Sequence, residues 1–273
     1  MSILVTGARG SVARGLVPLL AAQGVPHRLA SRAPDSPGTV HCDLGDPSTF
    51  AGALAGIRSV FLYAEASAIE AFVNEAVSAG VEHVVILSSS SVLAAGAADS
   101  PLAAAHLAVE EALLASPLHT TLLRPGAFAR NALGWARLLK SGCPVRLPYP
   151  GSHGDPVHEA DLAEAASAVL ADPALGGRAY HLTGPQSLSF ATQLAILGEV
   201  LGTPVPFESV PPEQWKSEVD GYIPGPYADA LLDYWAAGDG RPVEITDAVE
   251  RLTGHPARTF ETWARDHADA FRG

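Results

Sequence analysis

The run Met1-Ser-Ile-Leu-Val-Thr-Gly-Ala-Arg-Gly-Ser-Val-Ala-Arg-Gly15 decides the fold. Ile3 to Val5 read as a short buried strand. Gly7, Gly10 and Ala13 follow as G-x-x-G-x-x-A, and Val12, Leu16, Val17, Leu19 and Leu20 then form an apolar helical pattern. A strand, a glycine turn and a helix N-terminus together present backbone N–H groups and partial positive charge to an anion. Gly7 permits the turn, Gly10 lets a pyrophosphate approach the backbone, and the small Ala13 lets the helix pack closely on the strand. A nucleotide site is expected here; the plainer alternative is an ordinary strand–turn–helix, since glycines also mark simple turns.

Working outward, strand and helix signals alternate as far as residue 125. Strands are expected at Pro26–Ala30, Thr39–Cys42, Ser59–Tyr63, within Val81–Leu87 and at His119–Leu123, with helices near Ala68–Ala79 and Leu102–Ser116. That rhythm implies parallel pairing with right-handed crossovers. The rhythm then breaks. A helix is expected over Phe128–Ser141, a loop-rich stretch over Pro144–Val157, a helix over Asp161–Ala171 that Asp161 caps or starts, and one more strand at Ala179–Leu182. Beyond Pro185 the pattern is mainly helical. The expected fold is α/β, a Rossmann-like doubly wound parallel sheet with a small, mostly helical C-terminal substrate lobe. Residues 1–185 form the nucleotide-binding domain, with 127–156 contributing to the substrate cleft, and 186–273 form the lobe.

Composition narrows the function. The 273 residues are 48% hydrophobic and 17% charged, with a formal charge of -12, which argues against binding a nucleic-acid backbone. There is no apolar run of about 18 residues, so no membrane span is expected. The chain enters a strand at once, without a charged leader, so secretion is not expected. Cys42 and Cys143 lie far apart, form no metal spacing, and read as reduced and structural in a cytoplasmic protein. The Ala-rich, Arg-over-Lys composition points to a bacterial source.

In many dinucleotide sites an acidic residue about 20 positions beyond the glycines takes the ribose 2′-hydroxyl. Here strand two ends in Ala30-Ser31-Arg32, with no carboxylate. Ser31 can donate to a 2′-phosphate, Arg32 can pair with it and stack on adenine, and Arg9 is a second cation nearby. NADP(H) is therefore favoured over NAD. Asp43-Leu44 suits an adenine edge, or simply ends a strand.

T-G-A-R-G-S-V-A at Thr6–Ala13, L-S-S-S-S at Leu87–Ser91, L-L-R-P-G-A-F at Leu122–Phe128, V-H-E-A-D-L-A-E-A-A at Val157–Ala166, Y-H-L-T-G-P at Tyr180–Pro185 and L-T-G-H-P-A-R-T-F at Leu252–Phe260 resemble the NmrA-like, atypical branch of the short-chain dehydrogenase/reductase superfamily. The resemblance implies NADP(H) held by Thr6, Gly7, Arg9, Gly10, Ser11, Val12, Ser31, Arg32, Asp43, Leu44, Tyr63, Ala64, Ser88, His106, Pro125 and Phe128. The superfamily's usual active site has a serine after strand five, then a tyrosine at the head of the next helix and a lysine one turn later. Ser89 or Ser90 takes the first place, but Leu102 and His106 stand in the other two. His106 can bond the nicotinamide ribose, and can also supply a proton.

Without the tyrosine, a quinone or a phenol-conjugated ketone remains reducible, because its reduced oxygen is a phenolate-like anion or is bonded to an adjacent phenol. The expectation is an NADPH-dependent reductase of a quinone or aromatic, polyketide-like ketone, working as a monomer or homodimer. The alternative is a non-catalytic NADP(H)-binding redox sensor. Phe128, Asn131, Trp135, Tyr149, His153 and Trp215 are expected on the substrate side, where planar aromatics would stack, with core packing as the alternative for Trp135 and Trp215. His153 and His158 stand near Asp155 and Asp161, but that spacing is too weak to indicate a metal, and none is expected.

Overall fold

Short apolar runs build the centre of the molecule. The strands are β1 (Ile3–Val5), β2 (His27–Ser31), β3 (Thr39–His41), β4 (Ser59–Tyr63), β5 (His83–Leu87), β6 (His119–Pro125), β7 (Val145–Leu147), β8 (His153–Gly154), β9 (Ala179–Leu182), β10 (Leu188–Ser189) and β11 (Phe207–Ser209). The helices are α1 (Ser11–Ala22), α2 (Phe50–Leu54), α3 (Ile69–Ser78), α4 (Ala104–Leu114), α5 (Ala136–Lys140), α6 (Glu159–Ala171), α7 (Phe190–Leu201), α8 (Pro212–Val219), α9 (Gly225–Gly238), α10 (Ala248–Thr253) and α11 (Phe260–Asp266). The computed structural model describes residues 2–34 and 36–272. Asp35, in the Pro-rich loop after β2, and Met1 and Gly273, at the outer ends of the two expected domains, lie outside the described residues.

Seven strands form one parallel sheet in the order β3-β2-β1-β4-β5-β6-β9. Successive side chains leave a strand on opposite faces. Ile3, Val5, Phe61 and Val85 therefore pack under α1 and α6, while Leu4, Val60, Leu62, Val84 and Ile86 pack under α2, α3 and α4. Gly15 lets α1 press against α6: a Cβ there would lie 2.8 Å from that of Ala163. The strand order reverses between β1 and β4, and the carboxyl ends of those strands open a crevice of the kind that takes ligands in such sheets.

Three smaller apolar clusters lie outside the two cores that flank the sheet. One gathers Ala129, Leu197, Phe260 and Trp263, a second Val210, Trp215, Ala228 and Leu232 from the α8–α9 region, and a third Val145, Leu147 and Leu194. The chain then returns, and α10 joins the main core against α6 and β9. Three local expectations need correction. The stretch 144–157 contains β7 and β8, which pair with β11 and β10 from far along the chain. The helix expected over 128–141 is a 3-10 segment, Ala129–Trp135, running into the shorter α5. Cys143 is exposed, so only Cys42 fills the core, where burial pushes its thiol up to about 11. Among the described residues no helix is long and apolar enough to cross a membrane.

Candidate functional site

The glycine turn sits at the strand-order reversal. Thr6 Oγ1 donates to the Phe61 carbonyl and accepts from the Tyr63 N–H, both at 3.0 Å, stapling the ends of β1 and β4 together. Gly7 takes φ 57°, a left-handed conformation that suits glycine, and its carbonyl accepts from Gly10 N–H at 2.7 Å. Gly10 is the N-cap of α1 and offers no side chain, and the first turn carries no acid. No N-cap side chain therefore competes for the N–H groups of this positive helix end. Tyr63 lies along this turn, and Ala13 N–H donates to its hydroxyl at 3.3 Å. Burial pushes the Tyr63 phenol up, partly offset by the N–H groups of Ala13 and Val12.

In the glycine turn and just after β2, Arg9 and Arg32 are both exposed, and neither forms an ion pair among the described residues. Ser31 is buried, and its hydroxyl is engaged with both the N–H and the carbonyl of Ala33 at 3.2 Å. Its donor is therefore already occupied. Asp43 accepts from Gly45 N–H at 3.0 Å, with half-buried Leu44 beside it. Ala64 follows the end of β4, partly buried.

The four serines after β5 divide their roles. Ser88 donates to Glu110, 1% exposed, which also receives Arg124 from β6 through two parallel bonds. Three charge-assisted bonds satisfy that buried carboxylate. Ser89 caps the following turn, accepting from Ser91 N–H at 3.2 Å and Ser91 Oγ at 2.9 Å. Ser90 is partly exposed, and its hydroxyl has no hydrogen bond among the described residues. Leu102 lies in the turn before α4 and His106 in its first turn, ahead of Glu110, and Ser91 Oγ donates to the Leu102 carbonyl at 3.0 Å. His106 Nδ1 is buried without a partner. Burial lowers the His106 pKa, against the opposing pull of Glu110, so its ring is neutral near pH 7.

Pro125 ends β6 and is buried, and beyond it Phe128 is half-buried, bridging to Val157. Asp155 arches over the same edge. Its Oδ1 accepts from Ala127 N–H at 2.8 Å, and its Oδ2 lies 3.8 Å from His181 Nε2. A Cβ on Gly126 would fall 1.8 Å from Oδ2, so only glycine fits there. Burial raises the Asp155 carboxyl, and burial followed by the charge of Asp155 raises the Tyr234 phenol on α9. Sequence reading missed this group. The pairing of a buried acid with a distant loop N–H leaves no local pattern.

The expected substrate-side residues separate. Asn131 is exposed on the 3-10 segment. Trp135 meets Phe190 edge-on at 6.2 Å, and Trp215, 9% exposed, meets Trp235 at 4.9 Å; Tyr149 packs on the Trp215 cluster. These three rings pack within the smaller apolar clusters. His153 Nδ1 lies 3.0 Å from Ser187 Oγ. His158, not Asp161, caps α6, accepting from Ala160 N–H at 3.1 Å. Asp161 is fully buried and binds Arg258, whose guanidinium also takes Glu164. Asp161, Glu164 and His255 converge, but Arg258 is the cation among them.

These residues fit a dinucleotide. Among the described residues the α1 N-terminus has no N-cap side-chain bond, Arg9 and Arg32 have no ion pair, and the Ser90 hydroxyl and His106 Nδ1 have no hydrogen-bond partner. The comparisons agree in kind. The family model described as NAD(P)H-binding matches residues 7–173. The chain is 34% identical to the (4-alkanoyl-5-oxo-2,5-dihydrofuran-3-yl)methyl phosphate reductase of Streptomyces griseus, covering 98% of this chain and 99% of the relative. It is 30% identical to the NAD(P)H azoreductase of Xenophilus azovorans, covering 98% and 99%. Its fold superposes on the NADPH-dependent quinone oxidoreductase of Escherichia coli complexed with NADPH with a TM-score of 0.81, at 23% identity, covering 98% of this chain and 99% of that one.

Proposed function

This chain belongs to the NAD(P)H-binding family, the NmrA-like branch that its motifs resemble, and on that premise we propose that it uses NADPH to reduce a quinone or an aromatic, polyketide-like ketone. Kinship with reductases over nearly the whole chain makes it an NAD(P)H-dependent reductase. The substrate class rests on one observation: Leu102 and His106 stand where a phenol and an ammonium would otherwise serve the reaction. NADPH, when bound, supplies the hydride.

The chain's own groups do the remaining work. The backbone N–H groups at Ser11 and Val12 hold the diphosphate, and Arg9 and Arg32 hold the 2′-phosphate, with no competing carboxylate at the end of β2. Neutral His106 offers the nicotinamide ribose a hydrogen-bond partner. The unengaged Ser90 hydroxyl donates to the acceptor oxygen as negative charge develops there. A quinone or an aromatic ketone conjugated to a phenol spreads or internally bonds that charge, so one hydroxyl donor suffices. The alkanoyl-oxo-dihydrofuran and azo relatives likewise act on conjugated acceptors. The test is nicotinamide absorbance with purified protein, NADPH and a panel of quinones, aromatic ketones and simple aliphatic ketones. Turnover confined to the conjugated compounds is expected. Tight NADPH binding without turnover on any of them overturns the enzyme reading in favour of a sensor, which the missing tyrosine also suits.

A further inference from the structure

Tyr63 lies where a diphosphate has to arrive. In this fold the second glycine of the turn lacks a side chain so that the pyrophosphate can approach the backbone. Here that space is filled. A Cβ on Gly10 would stand 2.3 Å from Tyr63 Oη and 2.7 Å from Cζ, and one on Gly7 would stand 2.6 Å from Cδ2. The ring therefore lies along the turn from Gly7 to Gly10. Its hydroxyl oxygen accepts from Ala13 N–H at 3.3 Å, as an anion's oxygen would at the same helix end. Phe61 meets the ring edge-on at 5.6 Å, and the Tyr63 N–H is tied to Thr6 Oγ1. The backbone is thus fixed while the half-buried side chain keeps a route to solvent.

We propose that Tyr63 is a gate: in the cofactor-free protein its hydroxyl occupies the diphosphate cradle, and NADP(H) enters when the ring turns away. The proposal rests on the reading that the cofactor lies on the glycine turn. Its consequence is quantitative. Apparent affinity is the intrinsic affinity reduced by the fraction of molecules with the ring turned out. Loosening the gate raises that fraction and the association rate.

Stopped-flow association and equilibrium titration of NADPH on the wild type, Tyr63→Phe and Tyr63→Ser test this. Tyr63→Phe loses only what the hydroxyl receives from the Ala13 and Val12 N–H groups, and about three- to tenfold tighter binding is expected, carried by the association rate. Tyr63→Ser, which empties the cradle, gains at least as much. In protein labelled with 3-fluorotyrosine, the resonance missing from Tyr63→Phe moves toward that of an exposed tyrosine when NADP+ is added. Weaker binding by both variants, or a resonance that stays put, overturns the gate and leaves the cofactor site standing. If the wild type and both variants bind no cofactor, the placement of the cofactor falls with it.

Discussion

Replacing Arg32 with Ala is expected to separate NADPH from NADH. Arg32 is exposed and unpaired among the described residues, so the substitution leaves folding almost untouched, within about 0.5 kcal/mol. Its effect falls on the 2′-phosphate. A hydrogen bond to a charged group contributes about 1.5–3 kcal/mol, and solvent screening at this rim favours the lower part of that range. About 2 kcal/mol corresponds to roughly 30-fold weaker NADPH binding. NADH presents an uncharged hydroxyl there and should change by less than about twofold, because Arg9 and the glycine turn are retained. Titrations of both cofactors by quenching of tryptophan fluorescence give the two dissociation constants, and raising salt should narrow the wild type's preference. Equal losses for both cofactors would refute the assignment of Arg32 to the phosphate.

Ser90→Ala should lower kcat about 100-fold on a quinone while leaving NADPH affinity unchanged; an unchanged kcat would remove Ser90 from the chemistry. Arg124→Met strands the Glu110 carboxylate in the core and should cost about 3 kcal/mol in urea unfolding. A loss below about 1 kcal/mol would count against an unpaired charge. Burial and then the neighbouring His119 lower His83 to about 4, so the folded protein keeps it neutral while the unfolded chain protonates it from about pH 6.5. Its contribution is complete above that pH and declines as pH falls toward 4. The full linkage of about 3 kcal/mol, discounted for the exposed part of the ring, leaves about 2 kcal/mol. His83→Gln should flatten this part of the stability–pH curve; identical curves for the two proteins would exclude His83 as its source.

What the sequence revealed follows from which interactions are local. β4 at Ser59–Tyr63 and β5 at His83–Leu87 are legible because strands covered on both faces need runs of apolar residues. α7 is legible because Ser189 caps it through Thr192 N–H and Gly202 ends it at φ 75°. β7 and β8 are illegible: each is two or three residues long and forms only through a partner far along the chain. The position of Asp161 at the head of α6 is visible, but its burial depends on Arg258, and the capping role passes to His158. The site shows the same division. The glycine turn and the departure at Leu102 and His106 can be read directly. The return of the Tyr63 ring onto that turn, and the arch of Asp155 over Gly126, are properties of the folded chain.

The Asp161–Arg258 pair also bears on how the protein is made. The two residues are 97 positions apart, and Asp161 is wholly buried at the head of the helix that packs on α1. At about 5–20 residues per second, translation leaves that carboxylate without its counter-charge for about 5–20 s after it is synthesised. Helix α6 therefore cannot take its final seat while the ribosome is still making the segment that carries Arg258. A chain released before Arg258 emerges holds every strand of the main sheet yet lacks the charge that lets the sheet's cover close, which makes the short segment between α10 and α11 a checkpoint on the completeness of the whole.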